Sequence, residues 1–169
     1  MKAPRIALLS AVSLSNIIDG KCRISVVAII QSRPRAIMPS TSILRDIPGG
    51  KPLLEWFGHV PRFHDAKLLE ITFSSNGAGL LRIHAWNMTD EVDAKGYFVL
   101  DKHAIVTLTL AGVSSINCTD FDMVPGIIFD LEITKVNEHF RVEWGASYGV
   151  TGLITTRHIR INLVPGKPD

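Results

Sequence analysis

The sequence predicts an all-β fold, an antiparallel β-sandwich or open barrel of about seven strands, with an irregular N-terminal extension. Apolar and polar residues alternate with a period of two in most candidate strands, which is typical of strands with one buried and one solvated face. The connecting segments are short and rich in turn-forming residues. They leave no room for helical crossovers, so parallel βαβ units are not expected.

Each element is assigned from its own pattern. Residues 48–52 (PGGKP) form a turn, because Gly frees the backbone and Pro fixes it, and a short helical turn follows at 53–57. Alternation then predicts strands, and the Asn-Gly sequence at 76–77 predicts a hairpin between the first two of them. The predicted strands are residues 67–73, 80–87, 98–100, 104–110, 127–135, 140–144 and 158–163.

Charge is divided unevenly along the chain. The formal net charge is +2, from 18 Lys and Arg and 16 Asp and Glu. Residues 1–37 hold six of the basic residues and one of the acidic ones, so residues 38–169 carry a net charge of −3. A nucleic-acid-binding domain needs a clustered basic surface, and none is visible, so no nucleic acid is expected as a partner.

The N-terminal residues have several interpretations. We expect residues 1–37 to be an extension, either a disordered arm or the product of an incorrectly assigned start, with Met38 as the natural first residue. The alternatives are a signal or membrane-targeting segment, with 6–14 as its apolar region, and genuine structure. Residues 38–169 are then a single all-β domain.

Compartment is predicted from the two cysteines and from hydropathy. Cys22 and Cys118 lie on opposite sides of the expected domain boundary, so a structural disulfide is not expected and a reducing cytoplasm is favoured. No apolar run reaches the roughly 18–20 residues of a transmembrane helix, so no membrane association is expected.

His64-Asp65 is the sharpest candidate for chemistry, as half of a metal site. Hydrolases that use such a pair need further ligands along helices, which this chain does not offer. We therefore expect Phe63, His64 and Asp65 to form a structural turn at the strand entry. His84 and His158 could also meet if their strands were neighbours, but solvated histidines are the simpler interpretation, and no metal or cofactor is predicted.

A nucleophile is the other enzymatic possibility. Ser147 in GASYG faintly resembles a nucleophile elbow. That motif needs a strand, a turn and a helix in a parallel sheet, and a strand is predicted to follow here. The glycines more simply supply positive φ at a turn, so no catalytic residue is predicted.

An acidic and aromatic surface is the candidate binding site, whereas acidic side chains scattered on a solvated sheet face are the more ordinary interpretation. Asp130 and Glu132 share one face of a predicted strand, and Glu143 faces them from the next if the two strands pair. Trp86 falls on the polar side of its strand and is a candidate interface anchor. Such a surface would dock on a basic partner.

The opening of the domain resembles a known family. Trp56, Pro61 and the residues 63–66 (FHDA) that lead into the first strand resemble the start of the bacterial immunity protein 50 family, predicted immunity proteins of polymorphic toxin systems. Arg62 departs from the pattern, in which we expect a small or polar residue. The resemblance implies a cytoplasmic, non-enzymatic protein that binds a cognate toxin and occludes its active site. The alternatives are a small β-sandwich ligand-binding protein and a hydrolase.

Overall fold

The computed structural model describes residues 40–168, with side chains from residue 43 onward. Two short helices, α1 (Ser40–Asp46) and α2 (Gly50–Phe57), precede the strands. The predicted extension, residues 1–37, lies outside the described residues. The strands are β1 (Lys67–Phe73), β2 (Ala78–Val92), β3 (Phe98–Thr119), β4 (Gly126–Val136), β5 (His139–Tyr148) and β6 (Thr151–Pro165).

All strand pairs in the described residues are antiparallel, which confirms the predicted all-β class. The six strands close into a barrel in the order β1-β2-β3-β6-β5-β4. Six strands replace the predicted seven because residues 98–100 and 104–110 belong to one long strand, β3. The polar Asp101-Lys102 step between them does not end the strand: Asp101 pairs with Asn87 of β2, and Lys102, at φ 47°, lies where the register of the two strands shifts.

Helix α2 is held against the end of the barrel. Its buried residues Leu53 and Phe57 are four apart, so they share one face of the helix. Gly58 ends the helix in the left-handed region, at φ 79°, where its N–H donates to the carbonyl of Leu54. The Trp56 indole N–H then donates to the carbonyl oxygen of Lys102 at 2.9 Å, which ties the helix to β3.

The barrel interior is filled by side chains. The inward positions of β2 and β3 alternate, as the sequence predicts, and carry residues that are at most 2% exposed. Trp144 of β5 crosses the same interior, and its indole N–H donates to the carbonyl oxygen of Val150 at 2.8 Å. The largest fully buried side chains are Trp144, Leu53, Leu81, Ile83, Leu108, Leu110, Ile128, Ile154, Val106, Val142 and Thr156.

Bulges reverse the predicted faces at two places. In β1 the register shifts between Leu68 and Glu70, so Leu68 packs against the core and Leu69 is exposed. In β4 the register shifts around Ile128, which is fully buried, whereas Phe129 is 58% exposed. Alternation alone places Leu69 on the face of Ile71 and Phe73, and Phe129 on the face of Leu131 and Ile133. Both expectations are wrong, because a bulge adds one residue and interrupts the alternation.

Strands β2 and β3 project beyond their neighbours as a two-stranded ribbon. Pairing of β1 with β2 stops at His84, and pairing of β3 with β6 stops at Ala104. Beyond these residues β2 and β3 pair only with each other, through Asn87–Asp101, Met88–Leu100 and Val92–Phe98. We call residues 87–101 the arm.

Helices of membrane-spanning length do not occur in residues 40–168. Helices α1 and α2 have 7 and 8 residues, and a bilayer core requires about 20 residues of helix.

Candidate functional site

The segment from His59 to Ala66, which joins α2 to β1, is bound along the side of β4. The N–H of Asp65 donates to the carbonyl oxygen of Ile128 at 2.9 Å, and the N–H of Ile128 donates to that of Ala66 at 2.9 Å. The N–H of Leu131 donates to the carbonyl oxygen of Arg62 at 3.0 Å. These bonds extend a β1–β4 seam that has only two residue pairs of its own. We call residues 59–66 the connecting segment.

The predicted turn at Phe63, His64 and Asp65 has an unusual backbone. Phe63 and Asp65 lie at φ 58° and 61°, in the left-handed region that residues other than Gly rarely adopt. Phe63 is held there by burial, since it is only 6% exposed. The Phe63 side chain is buried, whereas the side chain of the next residue, His64, lies at the surface. Strain of this kind is characteristic of functional segments and needs strong packing to persist.

His64 is oriented by β4. Its Nδ1 lies 2.7 Å from the carbonyl oxygen of Phe129, which can only accept, so Nδ1 carries the proton. Its ring also meets the Phe129 ring edge-on at 5.2 Å. Nε2 faces the Asp65 carboxylate at 3.7 Å, and both side chains are about half exposed. This arrangement fixes the turn against β4.

Arg62 and Asp130 form a two-point ion pair across the connecting segment and β4. Arg62 Nη2 donates to Asp130 Oδ2 at 2.9 Å, and Nε donates to Oδ1 at 3.2 Å. The hydrogen bond and the charge of Asp130 raise the pKa of Arg62, with a smaller contribution from Glu132. Asp130 therefore already has a cationic partner within the folded protein. The pair is well exposed to solvent, so it contributes orientation more than stability.

Two clefts share the connecting segment as a wall. The first, with a volume of about 570 Å³, runs between that segment and the root of the arm. The second, of about 340 Å³, lies between the same segment and β4. Trp86 lines the first cleft together with Met88, and Asp130 and Glu132 line the second. Arg62 lines both, so the predicted aromatic and acidic residues meet on either side of one guanidinium.

Trp86 stands over a pair of histidines. Its ring meets that of His84 at 4.9 Å, and His103 at 5.7 Å. His84 Nε2 lies 3.1 Å from His103 Nδ1, and the two rings are stacked. His84 Nδ1 is buried without a hydrogen-bond partner among the described residues. A buried orphan N–H is costlier than an orphan lone pair, so we assign the shared proton to His84 Nε2 as donor.

Burial lowers the pKa of both histidines. For His84, the charges of His103, Lys67 and Lys167 act in the same direction. For His103, Lys167 also lowers the pKa, while a hydrogen bond to Leu100 and the charge of Asp101 oppose the shift. The sequence prediction of a solvated His84 is wrong: it is 6% exposed, because Trp86 and His103 cover it on the outer face of the sheet.

Glu132 and Glu143 face each other across β4 and β5. They are a direct register pair, so their side chains leave the same face of the sheet, and both are exposed. Arg141 donates to Glu143 at 3.3 Å, whereas Glu132 forms no salt bridge among the described residues. Like charges directly opposite each other destabilise a sheet. Arg141 offsets part of the charge of Glu143, so Glu132 is the member of the pair without a salt bridge in the described residues.

The remaining candidates are not brought together. His84 lies on β2 and His158 on β6, with β3 between those strands, so the two histidines do not form a site. Ser147 is exposed near the end of β5 and is followed by a turn into β6 rather than by a helix. Among residues 40–168, no group of three or more His, Cys, Asp or Glu side chains is placed to hold a metal ion.

Sequence reasoning missed Arg62, His103 and Met88 as site residues. Arg62 acts through Asp130, 68 positions away, and His103 acts through His84, 19 positions away. Only the three-dimensional structure brings the two members of each pair together. The departure of Arg62 from the family pattern was the one available signal.

Comparison with known proteins adds no relative. No protein-family model matches the chain, and searches of curated proteins and of solved structures found no match either.

Proposed function

We propose that this chain is a non-enzymatic binding protein, an immunity protein that neutralises a cognate bacterial toxin in the cytoplasm by occluding its active site. The observation that carries the proposal is the exposed Glu132–Glu143 pair beside the second cleft. A cationic surface placed beside these two carboxylates would pair with Glu132 and reduce the repulsion that Arg141 leaves between them, so binding would be favoured.

The rest of the site supports the same kind of partner. Asp130 is held by Arg62, so it orients the mouth of the second cleft rather than offering a free charge. Trp86 is partly exposed in the first cleft and supplies an aromatic contact of the kind that dominates protein interfaces. The resemblance of residues 56–69 to the immunity family supplies the toxin as the class of partner.

The test uses the full-length chain as bait in a native cell extract, followed by identification of the captured protein. That protein is then purified and its affinity measured by calorimetry against the wild type and Glu132→Lys/Glu143→Lys. We expect the double variant to weaken binding by about tenfold or more and to flatten its salt dependence. Glu55→Lys/Glu138→Lys, with the same change of charge at exposed positions elsewhere, is the matched control.

Growth provides the functional readout. Expression of the captured protein alone should arrest growth, and co-expression of the wild-type chain should restore it. A captured protein that is not toxic, or one whose affinity is unchanged in the Glu132→Lys/Glu143→Lys variant, would contradict the proposal.

A small-molecule binder is the second candidate, favoured by the first cleft. Its volume of about 570 Å³ falls within the range of ligand pockets, roughly 300–1,000 Å³. Apolar contact from Phe57, Trp86 and Met88 is combined there with His59, Arg62 and Lys102. A ligand that co-purifies with the full chain, and is lost in Trp86→Ala, would favour this function over toxin binding.

A further inference from the structure

We infer that the arm, residues 87–101, is a docking hairpin that lays an apolar face against an apolar, Lys- and Arg-rimmed surface of a partner protein. The inference rests on the proposed function and adds an element that the acidic pair does not include. It follows from four properties of the arm: its free edges, its fixed shape, its apolar face and its charge.

The arm has two open edges among the described residues. On one side β1 stops pairing at His84, and on the other β6 stops pairing at Ala104. The arm is therefore held by its own two strands and, at its root, by the Asn87 side chain, which donates to the carbonyl oxygen of Phe57 in α2 at 3.2 Å. A ribbon of two strands is marginally stable unless one face is covered.

The tip of the arm is nevertheless fixed in shape. Asp93 Oδ1 accepts hydrogen bonds from the N–H groups of Lys95 and Tyr97, at 2.8 and 2.9 Å. The N–H of Asp93 donates to the carbonyl oxygen of Tyr97 at 2.8 Å, and Gly96 supplies a positive φ of 86°. Near the root, the Thr89 hydroxyl donates to the carbonyl oxygen of Val99 at 2.9 Å. A shape fixed in the free protein lowers the entropy lost on binding.

One face of the arm is apolar. Register places Met88 opposite Leu100 and Val92 opposite Phe98, and Phe98 and Leu100 are two residues apart on one strand. The four side chains therefore share a face, with a register shift in β2 between Met88 and Val92. Met88, Val92 and Phe98 are each more than half exposed, and Leu100 is 37% exposed. A contiguous exposed apolar surface of this kind marks an interaction site.

The charge of the arm identifies its occupant. Asp90, Glu91, Asp93 and Asp101 lie in residues 87–101, against Lys95 alone. Two arms of this charge would repel each other, which argues against a second copy of the chain. A partner surface that is apolar at its centre and cationic at its rim would match the apolar face of the arm and the acidic residues beside it.

The arm is continuous with the first cleft. Met88 belongs to the apolar face and also lines that cleft beside Trp86. A partner lying along the arm would therefore also meet the cleft that Trp86 lines.

The test uses the full-length chain and a fluorescein-labelled peptide of alternating Leu and Lys as the probe, with binding measured by fluorescence anisotropy. A Leu and Glu peptide of equal length tests the charge. We expect the Leu and Lys peptide to bind, the Leu and Glu peptide not to bind, and Phe98→Ser/Leu100→Ser to weaken binding about tenfold or more. The matched control is Phe121→Ser/Ile116→Ser, whose side chains are 60% and 45% exposed, against 57% and 37% in the arm.

The inference would be overturned if the arm variant and the wild type bound the Leu and Lys peptide with equal affinity, or if both peptides bound equally well. It would also be overturned if the chain self-associated and the arm variant abolished that self-association. The last would make a second copy the occupant. If the arm variant also keeps its affinity for the captured partner while Glu132→Lys/Glu143→Lys loses it, the arm inference fails and the proposed function stands.

Discussion

His84 Nε2 lies 3.1 Å from His103 Nδ1, at the point where the arm leaves the barrel. As neutral imidazoles the two rings form one hydrogen bond, in which His84 Nε2 donates and His103 Nδ1 accepts, and protonation of His103 Nδ1 would remove the acceptor. The charges of Lys67 and Lys167 make a positive charge on His84 less favourable, whereas at His103 Asp101 opposes the effect of Lys167.

The histidine pair predicts that stability falls on acidification. The pKa of each histidine is lower in the folded than in the unfolded protein, so the unfolded state binds more protons as the pH falls. The stabilising contribution is complete above the unfolded value of about 6.5 and is lost as the pH falls from there toward the folded pKa. Thermal unfolding between pH 7.5 and 5 should show a steeper loss for the wild type than for His84→Gln/His103→Gln.

His158→Gln is the control for this measurement, because it removes an exposed histidine on β6. It should retain the wild-type pH dependence. If the double variant also retains it, the histidine pair does not govern acid stability.

Arg62 and Asp130 should show favourable coupling. In a double-mutant cycle of Arg62→Gln and Asp130→Asn, either single change should destabilise the protein more than the second change made after it. The coupling should shrink with added salt, because the pair is exposed. Urea unfolding at low and high salt measures it. Arg141 and Glu143, joined by a single contact at 3.3 Å, should couple more weakly, and equal coupling would show that two-point geometry adds nothing.

Thr156→Val should lower the free energy of unfolding by about 1–3 kcal/mol. The Thr156 hydroxyl is fully buried and donates to the carbonyl oxygen of Ala111 at 2.9 Å. Valine has the same shape but no donor, so that carbonyl loses its bond to the hydroxyl. Thr155→Val, at the neighbouring partly exposed position, serves as the control for β-branching and is expected to be near neutral. Chemical unfolding compares the two, and equal losses would contradict the assigned hydrogen bond.

Gly49→Ala should destabilise the protein much more than Gly96→Ala. Both glycines have nearly the same positive φ, 87° and 86°, so both variants incur backbone strain of about 1–2 kcal/mol. A Cβ at Gly49 would also overlap the carbonyl oxygen of Ile161, whereas a Cβ at Gly96 meets nothing within 4 Å. The difference in melting temperature between the two variants measures the destabilisation that comes from the close approach of Gly49, at the start of α2, to β6. Equal losses would leave strain as the only cause.

Alternation in the sequence predicts most of the strands, because each strand has one face toward a common core. It misplaces Leu69 and Phe129, since a bulge shifts the inward face by one residue without any local signal. Barrel closure depends on pairing between β1 and β4, which are far apart in sequence, and local patterns do not encode that pairing.

The candidate site was predictable only in part. Facing acidic residues on adjacent strands follow from alternation and a tight connection, so Glu132 and Glu143 could be expected to lie close together. The partner of Asp130 could not be predicted, because Arg62 reaches it from a segment with no regular structure. The arm could not be predicted either, because its apolar residues do not alternate regularly in the sequence. Their common face is visible only in the structure, where Met88 pairs with Leu100.

The approach of α2 to β6 has a consequence for biosynthesis. The N–H of Ile161 donates to the carbonyl oxygen of Pro48 at 2.8 Å, and Gly49 lies beneath the carbonyl of Ile161. Strand β6 also fills the position between β3 and β5. Strand β6 must therefore be synthesised before α2 can take its final place against it, and the earlier strands lack part of their packing until then.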